Sequence, residues 1–340
     1  MELLSRAILL HILLFVSSSF WANIVATSCE GNKVISTIVV DQSGKTKFKT
    51  VQSAIDSINE NNNQWVKIQI NAGTYKEKVQ IPYTKPCIYL EGRSRSNTII
   101  TYNAHKQTDE SATFSSFPDN VIARSITFHN SYNINGKTFS SQNGTIVLKP
   151  GQVVPALAAR IYGDKSAFYD CNFIGFQDTL WDVQGRHYFK DCRIEGSVDF
   201  IFGNGQSYYQ NCVLNALSSG FVTAQGRCKE EDPSGFVFRG GSVNARAKTL
   251  LGRAYGKYSR VIFHGTHFSP KIQPEGWSSW QSNSGSGTTY IEADCEGPGA
   301  DTSKRVPWSK KVSGSKMDKF SISSFINQDG WLQKLPVKWA

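Results

Sequence analysis

Two carboxylates stand out by their neighbours and their spacing. Asp178 lies in Gln177-Asp178-Thr179-Leu180-Trp181, and Asp199 lies in Gly196-Ser197-Val198-Asp199-Phe200-Ile201-Phe202-Gly203, 21 positions further on. If the chain repeats at that period, the acids sit side by side on one face, about 5 Å apart at the backbone, the distance between adjacent strands. Carboxyls that close do not both ionise easily, so one keeps a proton near neutral pH while the other stays charged. Such a pair can supply a nucleophile beside a general acid. Asp199 is flanked by Val198, Phe200, Ile201 and Phe202, a dry setting in which a solitary carboxylate is costly. Arg253, in Leu251-Gly252-Arg253-Ala254-Tyr255, is the cation assigned to it, because a guanidinium both orients a carboxylate and keeps it ionised. Gln177 adds an amide donor for a developing oxyanion. The plainer reading of both acids is turn capping, a frequent use of Asp, and it stays open at the level of spacing.

Competing chemistry is thin. The chain has no Gly-x-Ser-x-Gly elbow and no His-Glu-x-x-His zinc site. Gly252-Arg253-Ala254-Tyr255-Gly256-Lys257 superficially resembles a phosphate loop, but it holds three residues between the glycines where a phosphate loop needs about four. His264 and His267 are three apart, which in a strand puts them on opposite faces, so no shared metal is expected there. Trp181, Phe202, Tyr255, Trp277 and Trp280 are candidates to line a groove, with core packing as the alternative for each.

The elements that would position these residues follow from a repeat of about twenty residues. Tyr169-Asp170-Cys171-Asn172-Phe173, Phe189-Lys190-Asp191-Cys192-Arg193-Ile194 and Tyr209-Gln210-Asn211-Cys212-Val213-Leu214 share one pattern, with Cys spacings of 21 and 20. Weaker echoes fall at 123–128, 236–243 and 261–268. Short alternating segments with Gly and Asn at the corners, and no Leu-x-x-Leu-x-Leu frame, predict an all-β fold: a right-handed parallel β-helix, one coil per repeat. The offset of the acids equals the first Cys spacing, which is what puts them one coil apart. Cys171, Cys192 and Cys212 are then expected as an interior column, with a disulfide between neighbours an option. Apolar residues at 48, 51, 54, 55 and 58 mark one face of a helix, which is expected to cover the open N-terminal end. The segment from Ser309, with Lys310, Lys311, Lys316 and Lys319 before Phe325-Ile326 and Trp331-Leu332, is expected to fold back along the coils.

Composition sets the class. The chain has 340 residues, 39% hydrophobic and 19% charged, which excludes a disordered tail and a multi-pass membrane protein. A net charge of +10, spread along the chain, points to a polyanionic partner. Nucleic acid is the first polyanion to test, but finger, RNP and basic-zipper patterns are missing, and an acidic polysaccharide fits the same charge equally well. Arg6, an apolar run over 7–16 and small residues up to Ala26 and Ser28 read as a secretory signal peptide over 1–26, too short to span a bilayer. Residues 27–340 are then a soluble extracellular domain. Asn143-Gly144-Thr145 is a glycosylation tripeptide in that setting. Seven cysteines (29, 87, 171, 192, 212, 228 and 295) are too few for a disulfide-stapled miniprotein.

Five motifs in order carry a resemblance. Gly73-Thr74-Tyr75-Lys76-Glu77, Gln177-Asp178-Thr179-Leu180, the octapeptide 196–203, Leu251-Gly252-Arg253 and Gly297-Pro298-Gly299-Ala300 make the chain, from about Val34 to Trp331, similar to the plant pectinesterases, also called pectin methylesterases. The resemblance implies a β-helix that removes methyl esters from homogalacturonan in the plant cell wall and releases methanol without a metal or cofactor. It implies Asp199 as the nucleophile on the C6 carbonyl, Asp178 as general acid and then base, Gln177 in the oxyanion hole and Arg253 holding Asp199. Tyr255 stands at the family's substrate-contacting aromatic, and Thr108 matches a further substrate contact. Trp181 and Phe202 are taken as further substrate-binding residues. A proteinaceous pectinesterase inhibitor is an implied partner, and a monomer is expected.

The departures from the family pattern matter too. Its Gln-Ala-Val-Ala-Leu-Arg, whose Gln is a second oxyanion donor, is replaced by Pro155-Ala156-Leu157-Ala158-Ala159-Arg160, and Pro lacks even a backbone N–H. Gln152 or water would have to substitute. The Leu-Gly-Arg-Pro-Trp segment has become Leu251-Gly252-Arg253-Ala254-Tyr255. Only about 25 to 30 residues, mostly signal, precede the catalytic region, so no inhibition by an N-terminal pro-domain is expected. Two other functions remain to be weighed: cleavage of the glycosidic bond, since acids about 5 Å apart also suit a retaining glycosidase, and a wall protein that binds pectin but turns it over poorly.

Overall fold

The computed structural model describes residues 28–133, 139–142, 145–148, 153–280 and 285–338. The segment 1–26 expected to be a signal peptide, Asn143 and Gln152 lie outside the described residues. The chain winds as a right-handed parallel β-helix with three parallel sheets, one of ten strands and two of eight. Each coil gives one strand to each sheet: Ser166–Tyr169, Asn172–Ile174 and Leu180–Asp182 make one turn, and Arg186–Lys190, Arg193–Gly196 and Ile201–Gly203 make the next. Register is held residue for residue. Phe168, Phe189, Tyr209, Phe238 and Phe263 align on successive strands, and their rings stack inside the solenoid at 4.5–4.9 Å. Coil follows coil through the echo segments at 123–128, 236–243 and 261–268 as expected.

The corner between the first and second sheets explains the repeat. Asp170, Asp191 and Asn211, each one position before a Cys, have φ of 50°, 55° and 52°. Asn and Asp tolerate the left-handed region better than other side chains, so the polar residue makes the bend and the next residue turns inward. The same corner recurs at Asp294, φ 50°, before Cys295. Cys171, Cys192 and Cys212 form the expected buried column but stay reduced. The spacing of roughly 4.8 Å would admit a disulfide, but side chains stacked one coil apart run parallel and their sulfurs do not turn toward each other. Their thiols donate to backbone carbonyls instead, that of Cys192 to Phe168 at 3.5 Å. The disulfide joins Cys29 to Cys87, 58 positions apart.

The N-terminal helix is shorter than expected, Val51–Asp56. Phe48 is drawn into a bridge with Val40, and Thr50 caps the first turn by accepting the Ser53 N–H. Val51, Ala54 and Ile55 are buried and close the end of the core. The C-terminal segment does fold back: Met317, Phe320, Phe325, Ile326, Trp331 and Leu332 pack on the outer face of the ten-stranded sheet, around Ile122, Tyr188 and Val237. Among the described residues no helix is long and apolar enough to cross a membrane.

Candidate active site

The acids occupy the turns that enter two successive strands of one eight-stranded sheet. Gln177 bridges Val198, and the Asp178 N–H donates to the Val198 carbonyl at 3.0 Å, so Asp178 and Asp199 are neighbours one coil apart. Both backbones are left-handed, φ 60° and 50°, a conformation that costs a non-glycine residue on the order of 1 kcal/mol and gathers at functional sites. The same bend in consecutive coils carries both carboxyls to the same side.

Arg253 ends the strand Thr249–Arg253 and reaches across to Asp199. Its Nε donates to Oδ1 at 2.8 Å, and a second N–H donates to Oδ2. The guanidinium lies between the rings of Phe221, at 4.5 Å, and Trp280, at 3.8 Å, which fix its plane. Asp199 is only 7% exposed. Burial pushes its pKa up, and the Arg253 hydrogen bonds and charge pull against that rise. Asp178 has no ion pair of its own among the described residues. Burial, then the charge of Asp199, push it up to about 7 against the weaker pull of Arg253. Two like side chains thus differ by one guanidinium: one carboxylate is held and oriented, and one carboxyl is poised to give and take a proton near neutrality.

Gln177 is half-buried, and its amide has no hydrogen-bond partner among the described residues. Pro155 stands one coil earlier in the same stack, since the Ala156 N–H donates to the Gln177 carbonyl at 3.2 Å. It brings neither a side-chain donor nor an N–H.

Trp181 and Phe202 pair in register and stack at 5.3 Å. Tyr255 is 66% exposed and leans on Trp280 at 5.2 Å. Trp181, Phe202 and Tyr255 border a cavity of about 590 Å³ that Asp232 and Arg186 also line. Trp277 is a correction: it is buried, packs on Tyr290 at 4.4 Å and donates its indole N–H to Glu292 at 2.9 Å. Strand alternation decides this, because Trp277 is in register with Gly252 and Ser278 with Arg253, and only the latter column faces the groove.

Thr108 opens a 3-10 turn, Thr108–Glu110. That turn meets the groove through a residue the sequence reading did not single out, Arg160, which donates to the Asp109 carbonyl at 2.7 Å. The Arg160 guanidinium lies 4.7 Å from the ring of Trp181 and 4.9 Å from that of Tyr162. The signal was present: Arg160 alternates between buried Ala159 and Ile161 and precedes Trp181, its register partner, by the coil period. Phe221 gave no comparable signal.

A parallel β-helix that carries two adjacent carboxyls of different proton affinity beside an aromatic groove is built for acid–base work on an extended substrate. The family model Pectinesterase matches residues 37–329, and the chain belongs to that family of carboxylic-ester hydrolases. It is 44% identical over 317 residues to the Arabidopsis thaliana protein named "Putative pectinesterase 10", covering 91% of this chain and 90% of that one. The structure of a pectin methylesterase from carrot superposes with a TM-score of 0.78 at 31% identity, covering 90% of this chain and 96% of that one.

Proposed function

We propose that this chain hydrolyses the C6 methyl esters of homogalacturonan, with Asp199 as nucleophile and Asp178 as acid and base. The observation that carries the reading is the two-bond Arg253 clamp on Asp199 with Asp178, raised to about 7, one coil away. An Asp199 oxygen attacks the C6 carbonyl carbon, and the carbonyl oxygen becomes an oxyanion that accepts the Gln177 amide. As the tetrahedral adduct collapses, the departing methoxy oxygen takes the Asp178 proton and leaves as methanol. Water then gives a proton to Asp178 and adds to the acyl-enzyme. Collapse frees the Asp199 carboxylate and a galacturonate carboxyl group. Trp181, Phe202 and Tyr255 give the sugar rings apolar faces, and Thr108 borders the groove near Arg160. The proposed domain is residues 27–340 behind a signal peptide over 1–26. The Cys29–Cys87 disulfide supports secretion, since such bonds persist in oxidising compartments.

The test is methanol released from highly methylated pectin by the purified protein beside its Asp199→Asn variant. Release by the wild type alone is expected. Wild-type rates from the variant would remove Asp199 from its role. New reducing ends without methanol would point to glycosidic cleavage, and bound pectin without methanol would point to a binding protein.

A further inference from the structure

The outer face of the ten-stranded sheet carries a feature that ester hydrolysis does not use. Arg124, Tyr169 and Lys190 are in register on three adjacent strands, so their side chains rise as one ladder in steps of about 4.8 Å. Tyr169 therefore stands between a guanidinium and an ammonium. It is 7% exposed, and its hydroxyl is buried with no hydrogen-bond partner among the described residues. Leaving a buried hydroxyl unpaired costs about 1–3 kcal/mol, and native structures rarely do so without a reason.

Tyr169 borders a cavity of about 570 Å³ on this face. Its wall holds four cations, Lys67, Arg124, Lys190 and Lys338, and two carboxylates, Asp170 and Asp191, while a third carboxylate, Glu91, acts on Lys67 and Arg124. One of those carboxylates is already engaged, since Asp170 accepts the Ser125 hydroxyl at 2.9 Å and lies 3.2 Å from Arg95 Nε. Lys67 is bound to Glu91 at 2.8 Å and lies over the ring of Tyr89, which adds an aromatic wall. A basic, partly aromatic cavity with an unanswered hydroxyl donor suits a sugar acid: the carboxylate meets Arg124 and Lys190, an oxygen accepts from Tyr169, and the ring lies against Tyr89.

We propose that this cavity is a second binding site, for the carboxylates of de-esterified galacturonan. The identity of the polymer rests on the function proposed above. A methyl ester is neutral and gains nothing from the cations, so the site selects chain that has already been processed. It lies on a different sheet from Asp178 and Asp199, and it anchors the protein on the polymer without occupying the groove.

Calorimetric titration of the full mature protein with unesterified galacturonate oligomers tests this. Two classes of site are expected in the wild type and one in the Arg124→Ala/Lys190→Ala variant, with kcat and KM on short methylated oligomers unchanged within about twofold. Tyr169→Phe removes only the hydroxyl and should weaken the same class about 3- to 10-fold, the value of one neutral hydrogen bond. One class in the wild type, or two classes that survive in both variants, overturns the proposal. Saturation of the second class by inorganic phosphate but not by the oligomer overturns the sugar assignment. The oligomer is supplied ready-made, so two classes in a protein that releases no methanol would sink the esterase reading and leave this site standing, and one class in an active esterase would sink this site alone.

Discussion

At the scale of the residue, the division of labour between Asp178 and Asp199 rests on which of them Arg253 touches. Asp178 is raised to about 7 by burial and by its neighbour's charge, and in the proposed role of general acid it must be protonated until the methoxy group leaves. Acylation is therefore expected to fall away as pH rises through about 7, an alkaline limb in kcat/KM. Arg253→Ala removes the groups that oppose burial at Asp199, so the pKa of the proposed nucleophile climbs and less of it is ionised at any given pH. The variant is expected to lose at least about 100-fold in kcat/KM, the scale of a charged, oriented contact in a dry site, and to shift its acid limb upward. A pH–rate profile on a methylated oligomer checks both limbs, and an acid limb that stays in place would show that Arg253 does not set the ionisation of Asp199. Residue identity carried this much of the site because the offset of the acids matched an independent offset, that of Cys171 and Cys192. It could not carry Trp277, whose inward direction depends on the strand alternation fixed by Gly252 and Ser278.

The element scale explains what each corner costs and what it delivers. Left-handed Asp and Asn residues before Cys171, Cys192, Cys212 and Cys295 make the first corner. Left-handed Asp178 and Asp199 make the second, so the capping reading of these acids and the catalytic one are not rivals: the bend that strains the backbone also presents the carboxyl. The repeat was legible because Asx-Cys is a distinctive pair. The helix was read too long because its apolar periodicity includes Phe48, which the structure spends on a bridge to Val40. In the stack that precedes the acids, Pro155 stands where a donor beside Gln177 would complete the proposed oxyanion site. Pro155→Gln places an amide one strand spacing from Gln177, and one such donor is worth about 100- to 1000-fold where the reaction depends on it. A rise in kcat of about 10-fold or more, with KM little changed, is the expected outcome in initial-rate assays. An unaltered kcat would mean that the oxyanion is already satisfied without position 155.

For the molecule as a whole, stability and groove geometry meet in a buried knot that spacing and residue type could not reveal, because its members come from different coils. Asp182, at the end of the strand that carries Trp181, accepts the Tyr209 hydroxyl at 2.6 Å and faces His187 Nδ1 at 2.5 Å. The other ring nitrogen of His187 meets the Gly163 carbonyl at 2.9 Å. Both nitrogens thus face oxygens that can accept, an arrangement that favours the doubly protonated ring. Burial opposes that charge, but Asp182 and the Gly163 carbonyl outweigh it, and the pKa of His187 is raised. A raised native pKa means that the folded protein holds a proton the unfolded chain releases above about 6.5. The stabilisation is therefore complete below that pH and is lost as pH rises through the native value. The melting temperature is expected to fall across this alkaline window, and the fall should flatten in His187→Asn/Asp182→Asn, where both charges are gone and no buried ion is left unpaired. Nitrogen NMR of the imidazole across a pH titration gives the direct reading: the second ring proton is expected to be lost at a higher pH than from a free imidazole, and loss at or below the ordinary value would show that Asp182 and Gly163 do not hold His187 charged.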